Sequence, residues 1–498
     1  MEVSEKKKKG ITKKDFIAVS KKRGIALSAF TIILLLIFLL AIITHFLPEA
    51  RFNGEAIVDG SGVVGATLSQ TLLAPILGFA DAIDICLFVL ILGAFLKIVT
   101  KTGALETGIK VLIKKLKGRE LVLIPILMFI FSIGGTTYGM LEETVGFYAL
   151  LSAAMVAAGM DTIVASATVL LGAGSGVLGS TINPFAVGAA IDALPETISV
   201  NQGQIILIGV LLWLTTYALC TTAVVKYARK IINKKGSTFL SLQEVKYMEE
   251  TYGKKEAKVE DAKLTGKQKV TLWLFLLTFI IMIIGFIPWG DFGVTIFEKG
   301  KIFSTLTGLP LGEWYFQEST LWFLVMTVVI GFVNRTGEHE FVDSFVDGAD
   351  DMVGVILVIA IARGASVLMT QTHLDNYIIY NAAEALSNVP KGVFAPLNYL
   401  LHVVLSVLVP SSSGLATLST PIMGPLAQQV GYSVEATIMG MVAANGFVNL
   451  FTPTCGAIMG GLKLAGVEFT TWLKWALKVL ICIALVNIVI LTAAMMLL

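Results

Sequence analysis

Apolar stretches long enough to cross a lipid bilayer recur along this chain from Ile25 to its C-terminus. A helix needs about 20 mostly apolar residues to span the hydrocarbon core of a bilayer. The 498 residues are 56% hydrophobic and 14% charged, with a mean hydropathy of +0.83, which a water-soluble fold does not need. We therefore predict an all-α polytopic membrane protein with roughly ten to twelve crossings.

The distribution of basic residues predicts the orientation. Residues 1–23 form a basic tail, and the next apolar span, Gly24 to His45, is too long for the hydrophobic core of a signal peptide. The loop from Leu47 to Thr71 then lies outside, and the span from Asp81 to Val99 returns. Of the 37 basic residues, the predicted outside loops hold only Arg51, Lys299, Lys301 and Lys391. By the positive-inside rule, we expect a multi-pass protein of the cell (plasma) membrane with a cytoplasmic N-terminus.

Several functional classes lack support in the sequence. The net charge of +2 does not indicate nucleic-acid binding. His373 and Asp375 have no second histidine at metal-ligand spacing, and there is no G-x-x-x-x-G-K-[ST] phosphate loop. We therefore expect no metal, no cofactor and no ATP-driven transport by this chain alone. The four cysteines lie in apolar spans without zinc or disulfide spacing: Cys86, Cys220, Cys455 and Cys482.

The chain divides into two halves that repeat one order of elements. Each half contains a hairpin followed by an interrupted apolar span, although the first hairpin could equally be two crossings. On the predicted topology the hairpins enter from opposite sides, so the repeat is inverted, as in many secondary transporters. The predicted segments are a first half over 24–228 with hairpin 121–158 and broken helix 161–194, a cytoplasmic linker over 229–269, and a second half over 270–498 with hairpin 393–430 and broken helix 434–464.

Both interrupted spans carry loop-forming residues at membrane depth. The first contains GAGSGVLGSTINPFA from Gly172, the second ANGFVNLFTPT from Ala444, and we align these two starting residues. Irregular backbone inside a membrane is tolerated only where protein or a water-filled cavity satisfies it, so each break predicts a cavity. We expect helices to restart at Pro184 and Pro453. We expect the backbone to unwind at Gly172, Gly174, Gly176, Gly179 and Gly446.

The breaks and the hairpin tips GGTTYGMLEET (from Gly134) and PSSSGLATLST (from Pro410) offer polar groups to a solute or a small cation. The alternative is that these Ser, Thr and Gly residues only permit close helix packing. The candidate ligands of a coupling ion are Gly174, Ser180, Asn183, Asn445 and Thr452.

Three ionisable residues are candidate solute ligands. An intramembrane carboxylate is a functional hypothesis by default, so Glu142 and Glu143 are candidate partners of an amine or cation. Alternatively, they open the first turn of a helix, where the dipole favours acids. Arg363 could bind a substrate carboxylate or pair with a buried acid. Asp161 is predicted to be an N-cap, and Asp81 has a similar position at the start of a crossing.

With the T-T-x-G-M-x-E-E-T hairpin and the S-T-I-N-P break, the chain from Lys22 onward resembles the C4-dicarboxylate anaerobic carrier family, most closely its YfcC-type branch. The resemblance implies an ion-transporter homodimer with a scaffold domain and an elevator-like transport domain. The triplet Thr452-Pro453-Thr454 departs from a Ser-Asn-Thr-like pattern, which weakens the expectation of a second sodium site. The implied site residues are Thr136, Thr137, Glu142, Glu143, Ser180, Asn183, Ser412, Ser413, Asn445, Thr452 and Thr454.

We expect a secondary active transporter of a small carboxylate-bearing metabolite. YfcC-type members are described as basic amino acid antiporters, and Glu142 and Glu143 suit a cationic amine because two buried acids need a counter-charge. The alternative is a C4-dicarboxylate carrier coupled to Na⁺ or H⁺, with Arg363 and helix N-termini binding the carboxylates. A channel would need a continuous polar pore, and an enzyme would need a nucleophile with a base or a metal cluster. Neither pattern is present, so the expected partners are the solute, the bilayer and a second copy of the chain.

Overall fold

The computed structural model describes residues 29–53, 56–115, 119–234, 237–253, 263–287, 289–294, 296–297 and 301–498. Within these ranges the secondary structure is helical apart from a short antiparallel strand pair, β1 (Phe52–Asn53) and β2 (Ala56–Ile57). The predicted all-helical class is confirmed. The predicted basic tail, residues 1–23, lies outside the described ranges.

Nine α-helices precede the linker within the described ranges. Asp161 caps one of them by accepting a hydrogen bond from Val164 N at 3.0 Å, which confirms its predicted N-cap role. The sequence indicated no helix between the outside loop and Asp81, yet one forms there, starting with a capping box of Thr67 and Gln70. These helices are α1 (Ala29–Thr44), α2 (Leu68–Asp81), α3 (Ile83–Lys101), α4 (Ala104–Lys115), α5 (Leu123–Tyr138), α6 (Val145–Ala157), α7 (Thr162–Leu178), α8 (Ala189–Asp192) and α9 (Gln202–Asn233).

The linker and the second half contribute eleven further helices within the described ranges. The segment predicted as the second hairpin, residues 393–430, contains most of α16 and all of α17. These helices are α10 (Leu242–Met248), α11 (Gly266–Phe286), α12 (Lys301–Thr307), α13 (Phe316–Asn334), α14 (Glu338–Gln371), α15 (Leu374–Leu386), α16 (Lys391–Leu408), α17 (Ser412–Gln429), α18 (Val434–Val448), α19 (Gly456–Ala465) and α20 (Phe469–Leu497).

Eight helices of the described ranges are long and apolar enough to cross a membrane. Four shorter apolar helices accompany them: Phe30–Thr44, Thr162–Leu178, Val434–Val448 and Gly456–Ala465. The count falls below the predicted ten to twelve because the interrupted spans yield helices too short to cross alone. In addition, α1 begins at the edge of the described residues.

The helices form two groups by their packing. One group contains α1, α2, α3, α11, α13 and α14, and a cluster of phenylalanines that includes Phe95, Phe279 and Phe323 joins α3, α11 and α13. The other contains α5, α7, α9, α16, α17, α18 and α20. Helices α6 and α19 pack against each other and contact members of both groups. The two groups therefore meet along α6 and α19, where the breaks and tips also converge.

Close glycine contacts between α7 and α18 support the proposed alignment of the two halves. A Cβ atom added to Gly174 would lie 2.1 Å from the Leu450 side chain, and one added to Gly446 would lie 2.4 Å from Leu178 Cα. The alignment pairs the two glycines with each other and the two leucines with each other. Each glycine therefore contacts the residue that the alignment makes equivalent to the other glycine's partner, which is the pattern expected for an inverted repeat.

A second pair of glycine contacts joins α2 and α3 to α14. A Cβ atom on Gly78 would lie 2.3 Å from Gly364 N, and one on Gly93 would lie 2.4 Å from Gly348 O. Small residues let helix backbones approach closely inside a membrane. The first contact fixes the end of α2 against α14, and the second fixes α3 against the same helix.

The first break is shorter than the sequence predicted. Helix α7 is regular through Gly172, Gly174 and Gly176, so the expected unwinding at these glycines is wrong. They serve helix packing instead, since a Cβ atom on Gly176 would lie 2.0 Å from Ser132 O in α5. The irregular segment is confined to residues 179–183, before a π-helical turn that Pro184 opens as predicted.

The second break also begins later than predicted. Gly446 lies inside α18, so the unwinding expected there is wrong, and irregular backbone begins at Asn449. The following helix starts at Gly456 and not at Pro453. The close approach to Leu178 explains why a glycine occupies position 446.

The described part of the linker packs against the ends of neighbouring helices. Helix α9 continues to Asn233, so the predicted start of the linker at residue 229 falls inside a helix. The buried Glu244 accepts hydrogen bonds from Glu468 N at 2.8 Å and Thr471 Oγ1 at 3.1 Å. This linker carboxylate thereby satisfies the start of α20, whose N-cap Glu468 makes no side-chain cap bond.

We predict that Gly176→Ala lowers the free energy of unfolding by about 1–3 kcal/mol, because the added methyl group overpacks the contact between α5 and α7. The thermal unfolding midpoint of the purified protein in detergent measures the effect. The matched control is Gly266→Ala, where an added Cβ meets no atom within 4 Å. Equal midpoints for the two variants would contradict the packing role of Gly176.

Candidate functional site

The tip of the first hairpin is joined to the first break by a polar network. Thr136 O accepts a hydrogen bond from Thr181 N at 2.9 Å, and Thr136 Oγ1 donates to Gly179 O at 3.2 Å. Gly139 ends α5 with a φ of +82°, in the left-handed region that favours glycine. A Cβ atom there would lie 2.7 Å from Asn183 Nδ2, so the Asn183 side chain lies directly against the tip.

Asn183 organises the restart of the helix after the first break. Its Oδ1 accepts from Phe185 N at 2.9 Å, and its Nδ2 donates to Ser180 Oγ at 2.9 Å. Ser180 Oγ in turn donates to Val177 O at 2.7 Å. Asn183 and Ser180 are fully buried. These groups therefore satisfy one another and fix the shape of the break.

The second hairpin tip is joined to the second break in a similar manner. Asn445 Nδ2 and Asn449 Nδ2 donate to Pro410 O at 3.2 and 3.3 Å, respectively. Thr454 Oγ1 donates to Val407 O at 2.9 Å and lies 2.7 Å from Thr452 Oγ1. In each half, a main-chain carbonyl of the tip thus accepts hydrogen bonds from the break or from the helix before it: Thr136 O in the first half and Pro410 O in the second.

A cavity of about 170 Å³ lies between the two joined units and the other helix group. We call it the central cavity. Its walls come from the end of α2, the start of α3, α13, α14, both hairpin tips and both breaks. It is lined by Asp81, Ala82, Ile85, Tyr138, Gly139, Leu141, Glu142, Glu143, Val177, Phe185, Phe316, Ile359, Ala362, Arg363, Pro410, Ser411, Ser412, Ser413, Asn449, Thr454, Cys455 and Gly456.

The central cavity brings together part of the predicted site. The predicted residues in its lining are Glu142, Glu143, Arg363, Ser412, Ser413 and Thr454. The other predicted residues lie outside the lining: Thr136, Thr137, Gly174, Ser180, Asn183, Asn445 and Thr452. Most of these residues make hydrogen bonds that stabilise the tips and breaks outside the cavity lining. Thr137 Oγ1 donates to Ile133 O of its own helix at 2.7 Å, and Gly174 contacts Leu450 inside regular α7.

Acidic groups outnumber basic groups in the central cavity. Arg363, the basic residue in the described lining, donates through Nε to Asp81 Oδ2, so its guanidinium is already paired. Glu143 is only 3% exposed, and its Oε2 accepts from Leu141 N at 3.1 Å. Within the described ranges, neither Glu142 nor Glu143 has a Lys or Arg within ion-pair distance. The arrangement suits a bound cation.

Three parts of the lining were not among the predicted site residues. Asp81 ends α2 instead of starting a crossing. Asn449 follows Asn445 by one helical turn, and this spacing indicates in the sequence that the two amides lie on the same helix face. Asn449 Oδ1 is buried without a hydrogen-bond partner in the described structure. The third part is the N-terminus of α19 at Gly456, where the N-cap Cys455 makes no side-chain cap bond.

Comparison with known proteins gives a match to one family over nearly the whole chain. The model of the DcuC family, described as C4-dicarboxylate anaerobic carrier, matches residues 27–496. An uncharacterized protein of Haemophilus influenzae is 30% identical over 415 residues, which are 83% of this chain and 76% of the relative. The Escherichia coli protein YfcC, provisionally named a basic amino acid antiporter, is 28% identical over 407 residues, 80% of this chain and 74% of the relative.

Two solved transporter structures are distantly similar. The YdaH transporter of Alcanivorax borkumensis has a TM-score of 0.48 at 15% identity, covering 94% of this chain and 98% of its own. MtrF of Neisseria gonorrhoeae, described as a member of a class of antimetabolite efflux pumps, has a TM-score of 0.45 at 16% identity, covering 97% of this chain and 98% of its own.

We predict that Asn445→Ala combined with Asn449→Ala increases backbone hydrogen exchange at the second hairpin tip, residues 409–414, because both donors to Pro410 O are removed. Hydrogen–deuterium exchange followed by mass spectrometry measures the effect. Asn183→Ala is the matched control, and it should increase exchange only at the first tip. Equal exchange at residues 409–414 in the double variant and the unaltered protein would contradict the proposed restraint.

Proposed function

Because the chain belongs to the C4-dicarboxylate anaerobic carrier family and is therefore a membrane transporter and not an enzyme, we propose that it exchanges basic amino acids such as arginine or ornithine. The observation that carries this proposal is the pair of cavity carboxyl groups, Glu142 and Glu143, neither of which has a Lys or Arg within ion-pair distance among the described residues. A cationic side chain supplies the counter-charge that two acids at membrane depth require.

The other walls of the central cavity suit the carboxylate end of an amino acid. The first residues of α17, Ser412 and Ser413, and the first residue of α19, Gly456, line the cavity. A helix N-terminus offers main-chain N–H groups and the positive end of the helix dipole to an anion. A zwitterionic solute with a cationic side chain then places that side chain at the first hairpin tip. Its carboxylate lies at the helix N-termini of the second tip and the second break.

The provisional name of the relative YfcC agrees with this solute class. The second candidate is a C4-dicarboxylate, which the family description favours. Two carboxylates would need more than the one guanidinium of Arg363, which is paired with Asp81. They would also meet Glu142 and Glu143 at close range. The charges of the cavity therefore support the basic amino acid over the dicarboxylate.

An elevator mechanism fits the two helix groups. The group that carries the hairpin tips and breaks is the candidate transport domain, and the group built on α2, α3 and α14 is the candidate scaffold. The exchanged glycine contacts of the repeat support two related end states. In this proposal the protein is a homodimer of the plasma membrane with a cytoplasmic N-terminus. A channel is the competing class, and it would conduct without saturation or counterflow.

Counterflow in proteoliposomes tests the proposed function. Vesicles loaded with unlabelled arginine, ornithine, lysine, succinate or fumarate are supplied with labelled solutes, with and without sodium and proton gradients. Saturable exchange restricted to the basic amino acids supports the proposal. Uptake of succinate driven by an ion gradient, without exchange of basic amino acids, would overturn it in favour of the dicarboxylate carrier.

We predict that Glu142→Gln and Glu143→Gln each reduce kcat/KM for exchange by at least about tenfold, as expected for losing one charge partner in a desolvated site. Initial exchange rates at matched reconstituted amounts measure the effect. Glu196→Gln, an exposed position outside the cavity lining, is the control. Unchanged exchange by both cavity variants would refute the assignment of the amine site.

We also predict that Asn183→Ala abolishes exchange without unfolding the protein, because the amide fixes the first break against the tip. Size-exclusion profiles report folding, and counterflow reports exchange. Normal exchange by this variant at matched amounts would show that the break does not depend on the Asn183 amide.

A further inference from the structure

The ion pair of Asp81 and Arg363 separates two cavities. Both residues line the central cavity, and both also line a second cavity of about 500 Å³. The rest of the second cavity comes from the C-terminal part of α14, the start of α15, and α17, including Thr370, Asp375 and Thr417. The two side chains therefore lie on the route between the central cavity and this second space.

The surrounding backbone holds the pair in place. Asp81 is the last residue of α2, and its neighbourhood is fixed by the contact of Gly78 with Gly364, the residue after Arg363. On the remaining side, a Cβ atom added to Gly414 of the second hairpin would lie 3.7 Å from Arg363 Nη1. The pair thus bridges α2 and α14 directly beside the second tip, and both side chains remain partly exposed to the cavities.

The charge of the route depends on Asp81. Arg363 alone would make this point attractive to anions and repulsive to cations. With Asp81 paired to it, the net charge of the lining groups is set by Glu142 and Glu143. The second cavity contributes another carboxylate, Asp375, whose oxygens accept from Thr370 Oγ1 at 2.7 Å and Asn376 N at 2.8 Å.

We propose that the Asp81–Arg363 pair is a charge-selective partition between the two cavities, and that Asp81 is a specificity-determining residue that favours cationic over anionic solutes. The inference rests on the proposed function and extends it to the route by which the solute reaches the site. A cationic amino acid passes by exchanging partners: its carboxylate contacts Arg363 while its amino group contacts Asp81. A dicarboxylate can replace only one of these contacts.

A native cysteine reports on the partition without a transport assay. Cys455 lies in the lining of the central cavity. The full-length protein in detergent is treated with two thiol reagents of similar size, a quaternary-ammonium and a sulfonate methanethiosulfonate. The rate at which each modifies the peptide carrying Cys455 is measured by mass spectrometry, which separates it from the other cysteines. The ratio of the cationic to the anionic rate measures charge selectivity.

We expect Asp81→Asn to lower this ratio by about tenfold and Arg363→Gln to raise it by about tenfold, as removal of one charge near the route predicts. The double variant Asp81→Ala with Arg363→Ala should accelerate both reagents several-fold and return the ratio toward that of the unaltered protein. Opposite shifts from the two partners are a result that loss of a merely structural contact would not produce.

Asp84→Asn is the matched control, because it removes the same charge one turn away, at a carboxylate that accepts from Gln317 and lines neither cavity. Equal ratios in Asp81→Asn, Asp84→Asn and the unaltered protein would overturn the selective role. Unchanged rates in the double variant would overturn the partition. If the ratios shift as expected while counterflow shows no exchange of basic amino acids, the partition stands and the proposed solute class fails.

Discussion

Main-chain groups that leave a helix inside a membrane need hydrogen-bond partners from protein, because lipid offers none. In this chain the partners come from the two hairpin tips and from the breaks themselves. Thr136 O accepts a hydrogen bond from Thr181 N, and Pro410 O accepts hydrogen bonds from the side-chain amides of Asn445 and Asn449. Each tip and its break therefore form one unit, and the position of the central cavity follows from where the two units meet the helices around α14.

The two units differ in chemistry. The helices that precede the two breaks, α7 and α18, cross each other through close contacts of Gly174 with Leu450 and of Gly446 with Leu178. The first tip carries Glu142 and Glu143, whereas the second carries Ser412 and Ser413 at the start of a helix. The central cavity is therefore acidic on one wall and rich in hydroxyl and N–H donors on another.

Much of this architecture could be predicted from the sequence, because apolar runs and breaker residues act locally. The helical class, the family and the restart at Pro184 follow from such patterns. The expected unwinding at Gly172, Gly174 and Gly176 was wrong because a glycine that frees the backbone and one that admits a neighbouring helix look alike in sequence. The lining role of Asp81 depends on its contact with Arg363, which lies in the other half and which no local pattern encodes.

The unlike walls of the central cavity have a geometric consequence. Carboxyl groups on the first tip, helix N-termini at the second tip and second break, and the ion pair at the end of α2 face the same space from three directions. A solute that uses three such contacts around one carbon atom fits in a single orientation, and its mirror image cannot make all three at once. For the solute class proposed above, this division of contacts between the two halves would recognise chirality without any residue dedicated to it.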